Sequence, residues 1–291
     1  MKRKIWKILL VLLILTGYFV IETIVGFFLE PYFFKNEFTR FLIRYSVMIP
    51  ILIGTCLLLR KKDILRFSWK SFWTGLTAGG VFLVGGLIIM ALLLCESIMN
   101  QYKPMPFLDI VIFILAILVG TGLTEELLFR GVIQGLFEDF FGRKTRKNLF
   151  ATVIVTAVLF GSAHLTNFFA VEAAYFPLIL AQAVTAFSSG LCFGAIRLRS
   201  GNIWPVAFIH GFWDLSTMVE QGIFGVGTVL GELGNKGLEN IQNEEMMQKV
   251  LQYKLYVAIV VCVVVVSIDL IMFFFLMRKK KTEPLLEYDR R

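Results

Sequence analysis

Charge is scarce in this chain of 291 residues: 17% are Asp, Glu, Lys or Arg, while 57% are hydrophobic. Soluble domains carry about 25% charged residues, so an ordinary water-soluble enzyme is excluded, and so is a disordered chain. Cysteine is scarce as well. Cys56, Cys95, Cys192 and Cys262 stand far apart inside apolar segments, without the spacing of a zinc module, a redox motif or a disulfide framework. Histidine occurs only twice, at His164 and His210. There is no fixed-period repeat, and no inverted pair of broken helices of the kind transporters use.

Long apolar runs stand in place of the missing charge. A membrane span needs about 20 mostly apolar residues, and eight candidates can be read: 6–29, 41–59, 72–96, 107–123 running on to 137, 149–165, 176–196, 203–221 and 252–277. The first follows Lys2, Arg3 and Lys4 as a signal peptide would. It is too long for a signal peptide's apolar region, so a retained span is expected. The fold class is all-α, a polytopic membrane helix bundle of about eight transmembrane helices.

The net charge of +8 does not indicate nucleic acid, because the basic residues sit in short clusters between apolar blocks. Segments 1–7, 60–70, 143–147, 197–199 and 278–291 hold 21 of the 29 Lys and Arg residues. Positive charge collects on the cytoplasmic side, facing the anionic leaflet. Both termini are therefore expected in the cytoplasm, with the lipid bilayer as partner and the cell membrane as location. The organisation expected is three spans in 1–106, a core of four spans in 107–221, an external loop at 222–251, and a last span with a basic cytoplasmic tail at 252–291.

A charged side chain deep in lipid costs about 2.5–3.5 kcal/mol on the insertion scale, so each one asks for a reason. Glu22, Glu96, Asp109 and Asp269 stand alone, mostly near span ends, and are read as structural. Three other segments are different. One is Thr124-Glu125-Glu126-Leu127-Leu128-Phe129-Arg130-Gly131, the second is Phe160-Gly161-Ser162-Ala163-His164, and the third is His210-Gly211-Phe212-Trp213-Asp214. Glu126 and Arg130 are four apart with the acid first, the favourable order for a neutralising pair on a helix. Glu125 points about 100° away from Glu126 and has no partner on its own helix, which leaves it free to act as a base. His210 and Asp214 are also four apart and share a face. Together the three segments imply a polar cavity equipped for hydrolysis. Spacing alone leaves a proton-coupled carrier open.

These segments resemble the CPBP family, membrane endopeptidases that include type II CAAX prenyl proteases and bacteriocin-processing or immunity relatives. Its pattern of E-E-x-x-x-R, F-x-x-x-H and H-x-x-x-N/D is met in order by Glu125, Glu126 and Arg130, by Phe160 and His164, and by His210 and Asp214. The likeness covers roughly residues 107–220 and implies an eight-helix intramembrane protease. By that resemblance Glu125 activates water with His164 assisting, while His210 and residue 214 stabilise the oxyanion. The prenyl-protein branch generally has Asn where this chain has Asp214. An ionised Asp cannot donate to an oxyanion, so it is expected to orient His210 or help hold a cation.

A metal-free glutamate mechanism is preferred, with no cofactor committed. Zinc held by Glu125, His164 and His210 is the alternative. The substrate expected is a lipidated or membrane-associated peptide or protein. The rival readings are a catalytically silent immunity or scaffold relative that binds a membrane peptide, and a proton-coupled transporter. Depth poses a difficulty for all of them. At 1.5 Å per residue, His210 lies about 12 Å from the cytoplasmic surface, Glu125 about 18 Å and His164 about 25 Å. Helix tilt must bring them together.

Overall fold

Lipid offers the backbone no hydrogen-bond partner but itself, so apolar runs of this length fold as helices. The structure, a computed structural model, describes residues 2–29, 37–169, 173–226 and 244–287, and among these there are helices and no strands. In chain order they are α1 (Lys2–Leu29), α2 (Glu37–Leu58), α3 (Trp69–Ala78), α4 (Gly80–Met99) and α5 (Phe107–Phe141). Then come α6 (Arg146–His164), α7 (Phe176–Ser200), α8 (Trp204–Thr217), α9 (Val219–Phe224), α10 (Glu244–Leu276) and α11 (Lys279–Glu287). The chain is an integral, multi-pass membrane protein.

Among the described residues seven helices are long and apolar enough to cross a bilayer, where the sequence predicts eight. The difference lies at 203–221, which is broken at Met218 into α8 and α9. This pair still runs the length of the bundle. At one end the Trp204 indole donates to the Leu65 carbonyl at 2.7 Å. At the other, Gln221 donates to Glu37 at 3.1 Å, and the Ile223 carbonyl accepts from the Met105 amide at 2.6 Å. Residues 203–221 thus form a broken pair of helices in place of one continuous span.

The predicted span 72–96 is likewise two helices, α3 and α4, meeting at Gly79, where Ile209 of α8 packs against the bare backbone. The start of α10 at Glu244 lies ahead of the predicted 252. Most of the predicted external loop, residues 227–243, lies outside the described residues. The basic tail is also more ordered than its charge suggests. It forms α11, with Thr282 buried and Leu285 and Leu286 packed on the main apolar cluster.

The centre of the bundle is α7. Its most apolar stretch is 56% buried, against 17–39% for the other spans. It packs along α6 on one side and α10 on the other. The contact with α10 is fastened by Asp269, buried there and accepting from Ser188 at 2.7 Å and Ser189 at 2.8 Å. Asp269 is thus a clasp between helices, as its solitary position in the sequence suggests.

At about 1.5 Å per residue, α5 is some 50 Å long, far more than the ~30 Å of a hydrocarbon core. Its last turns reach the basic end of the bundle. There Lys61 donates to the Asp139 carboxylate and Lys7 to the Asp139 carbonyl, each at 2.7 Å. Glu138 pairs with Arg143 and Arg197. Arg146 holds the Met277 carbonyl at 2.8 and 3.1 Å. The basic segments that the charge count groups together are therefore gathered at one end.

Candidate active site

The site is built on an irregular stretch of α5. Two π-helical segments, Leu115–Thr121 and Leu127–Ile133, flank a short α-helical one, Gly122–Glu126. Such widened turns are rare, and those that occur are frequently at functional sites. Glu125 and Glu126 sit between them.

The two carboxylates part ways as their position on the helix predicts. Glu126 is fully buried and pairs with the fully buried Arg130, Oε1 to Nη1, at 2.9 Å. The same Oε1 accepts from His210 Nδ1 at 2.8 Å. One oxygen thus joins α5 to α8. Arg130 also donates to the Gly190 carbonyl of α7 at 3.4 Å, and its guanidinium lies over the rings of Phe160 and Phe193, 4.3 and 5.3 Å from their centres. Glu125 keeps 24% of its side chain exposed, and its Oε2 stands 3.9 Å from His210 Nε2. It is the open member of the pair.

His210 is enclosed on every side. Phe193 lies against its ring at 5.0 Å, and Phe160 meets it edge-on at 5.8 Å. Its Nε2 faces Asp214 Oδ2 at 3.3 Å, one turn further along α8. Both ring nitrogens thus address carboxylate oxygens, which only accept when ionised. Asp214 thus stands beside His210, within contact of its ring.

His164 ends α6. Its Nδ1 lies 3.0 Å from the Phe160 carbonyl of the same helix. A carbonyl accepts only, so that nitrogen donates, and in the neutral imidazole the lone pair then lies on Nε2. Phe160 touches both imidazoles, packing edge-on against His164 at 5.0 Å. Both histidines lie within electrostatic reach of Glu125. The predicted depth gap is closed between Glu125 and His210, and His164 joins them through the shared Phe160.

The approach of α5 and α8 that makes these contacts possible depends on two facing glycines. A Cβ on Gly122 would stand 2.5 Å from the Ala207 carbonyl oxygen and 2.8 Å from Gly211 Cα. One on Gly211 would stand 2.4 Å from the Leu118 oxygen. Small residues let membrane helices close to backbone contact. Gly211 directly follows His210, so this contact sets where the imidazole stands.

Among the described residues, no group of three or more His, Cys, Asp or Glu side chains is arranged to hold a metal ion. The zinc candidates Glu125, His164 and His210 do not fit one as placed. His210 Nε2, the nitrogen left to it by the Glu126 contact, already faces Asp214 at 3.3 Å.

The sequence motifs leave out several groups that the structure brings to the site. Phe193 and the Gly190 carbonyl come from α7, and Tyr45 of α2 meets Thr121 of α5. A lone aromatic or glycine in an apolar helix carries no signal of its own. No curated protein and no solved structure matches the chain. Residues 107–216, which carry Glu125, Glu126, Arg130, His164, His210 and Asp214, match the family described as type II CAAX prenyl endopeptidase Rce1-like, in agreement with the CPBP resemblance of the three motifs.

Proposed function

We propose that the protein is an intramembrane endopeptidase of the cell membrane, hydrolysing a peptide bond in a lipidated or membrane-associated peptide. Its site would open toward the cytoplasmic half of the bilayer, with both termini in the cytoplasm. The supporting observation is the asymmetry of the two carboxylates. Glu126 is neutralised by Arg130 and His210, whereas Glu125 is partly open and faces His210 Nε2 at 3.9 Å.

In this reading Glu125 takes a proton from a water molecule that also donates to His164 Nε2. The hydroxide attacks the peptide carbonyl, and Glu125 returns the proton to the departing amide nitrogen. Glu126 and Asp214 hold His210 from both sides, and Arg130 keeps Glu126 in place. The assignments do not call on a metal.

The test is cleavage in proteoliposomes, offering a prenylated peptide and a membrane-anchored peptide without a prenyl group. Glu125→Gln should abolish cleavage and leave thermal unfolding unchanged, because its shape is kept and its neighbours are not stripped of a partner. Cleavage as fast in Glu125→Gln as in wild type would refute the assignment. Peptide binding without cleavage by the wild type would favour the silent scaffold instead.

A further inference from the structure

The strongest hydrogen-bond donors near Glu125 already hold partners, although Thr124 Oγ1 and Arg130 Nε are buried without one. Arg130 is engaged by Glu126 and the Gly190 carbonyl. His210 spends Nδ1 on Glu126 and turns Nε2 toward Asp214, and ionised Asp214 itself offers only acceptors. A peptide carbonyl under attack nevertheless needs donors aimed at the oxygen where charge develops.

The second helix brings one to this place. The Thr121 hydroxyl of α5 lies 3.2 Å from the Tyr45 hydroxyl oxygen and 3.4 Å from the Ala116 carbonyl, and it donates its single proton to the nearer of the two, Tyr45. Thr121 precedes Glu125 by four residues, so the two lie one turn apart on the same face of α5. The phenol ring is seated against Gly120, where an added Cβ would stand 2.4 Å from ring Cδ2. A phenol accepts through its lone pairs and donates through its single proton. With Thr121 filling the accepting role, that proton is left to point elsewhere. Tyr45 is only partly buried, and it lies within electrostatic reach of both Glu125 and Asp214. Those two carboxylates flank the place a substrate carbonyl must take in the proposed reaction.

We infer that Tyr45, which lies outside the family-matched segment, donates its phenolic proton in a hydrogen bond to the oxyanion formed during peptide hydrolysis. The inference rests on the endopeptidase reading above. It gives the N-terminal helices a share in the chemistry, and it supplies a donor that Asp214 cannot.

The experiment compares wild type, Glu125→Gln and Tyr45→Phe in proteoliposomes, with kcat, KM and thermal midpoint measured for each. Phenylalanine keeps the ring in its seat on Gly120 and removes only the hydroxyl. Loss of one oxyanion donor typically lowers kcat by 10²–10³. That fall is expected in Tyr45→Phe, with KM and midpoint unchanged. If wild type cleaves in a Glu125-dependent way and Tyr45→Phe keeps its kcat, this inference fails and the endopeptidase reading stands. A change confined to KM, or to the midpoint, overturns it equally, by assigning Tyr45 to binding or to packing. If wild type shows no Glu125-dependent cleavage, the endopeptidase reading falls and takes this inference with it.

Discussion

Replacing Gly211 with alanine tests whether backbone contact between α5 and α8 sets the site. The new methyl would meet the Leu118 carbonyl oxygen at 2.4 Å, about 1 Å inside an ordinary contact distance of roughly 3.4 Å. The obstacle is backbone in the middle of a packed helix, so no rotamer change relieves it and the helices must part. His210 is the adjacent residue. If α8 backs away by about 1 Å, the Nδ1–Oε1 distance of 2.8 Å opens to nearly 4 Å, too long for a hydrogen bond. Over-packing of this kind costs about 1–3 kcal/mol, and a 1 Å misplacement of reacting groups costs about 10²-fold in rate.

Gly54→Ala is the control, because a Cβ there meets nothing within 4 Å. In a helix it should be neutral, or stabilising by up to about 1 kcal/mol. The assay is thermal unfolding in detergent together with peptide cleavage in proteoliposomes. Gly211→Ala should lose both stability and rate, and Gly54→Ala neither. Wild-type behaviour in Gly211→Ala would refute the reasoning, since the contact would then be one the helices can forgo.

Glu126→Gln leaves Arg130 charged in a fully buried place, and should cost about 3–5 kcal/mol in unfolding free energy, together with activity. Asp269→Ala removes the acceptor shared by Ser188 and Ser189. It should destabilise by about 1–3 kcal/mol yet leave the cleavage rate per folded molecule unchanged. Elemental analysis of purified protein should find zinc well below one equivalent, and chelators should not alter cleavage. A full equivalent lost in His164→Ala would argue for a metal mechanism.

The parts of this architecture that could be read from sequence are those written in local spacing. Glu126 and Arg130 pair because four residues bring side chains to one face, and Glu125 diverges for the same reason. The grouping of Lys7, Lys61, Arg143 and Arg197 at one end could be read because the bilayer sorts basic residues by side. Features set by contact between distant segments could not be read. Nothing around Met218 announces that the last passage before α10 is broken, since both halves are apolar. The π-helical turns around Glu125 depend on how α5 beds against α2 and α8, and no residue type encodes them. The carboxylate of Glu126 reaching His210 joins residues 84 apart, and no helical period records such a distance.

The sharing of one Glu126 oxygen by Arg130 and His210 bears on how lost activity would be recognised among proteins of this type. Glu126, Arg130, Phe160 and His210 form a single buried knot that ties α5, α6 and α8 together, with Gly190 of α7 caught in it. Selection for folding alone would preserve all four. A descendant that abandoned catalysis to serve as a binding partner could therefore keep most of the motif letters intact, and a survey that counts motif matches would class it as an enzyme. Glu125 belongs to no such knot. Its replacement would loosen little, so under the proposed reading it is free to drift once catalysis no longer protects it, and the residue found at that position is the one that separates an enzyme from a scaffold.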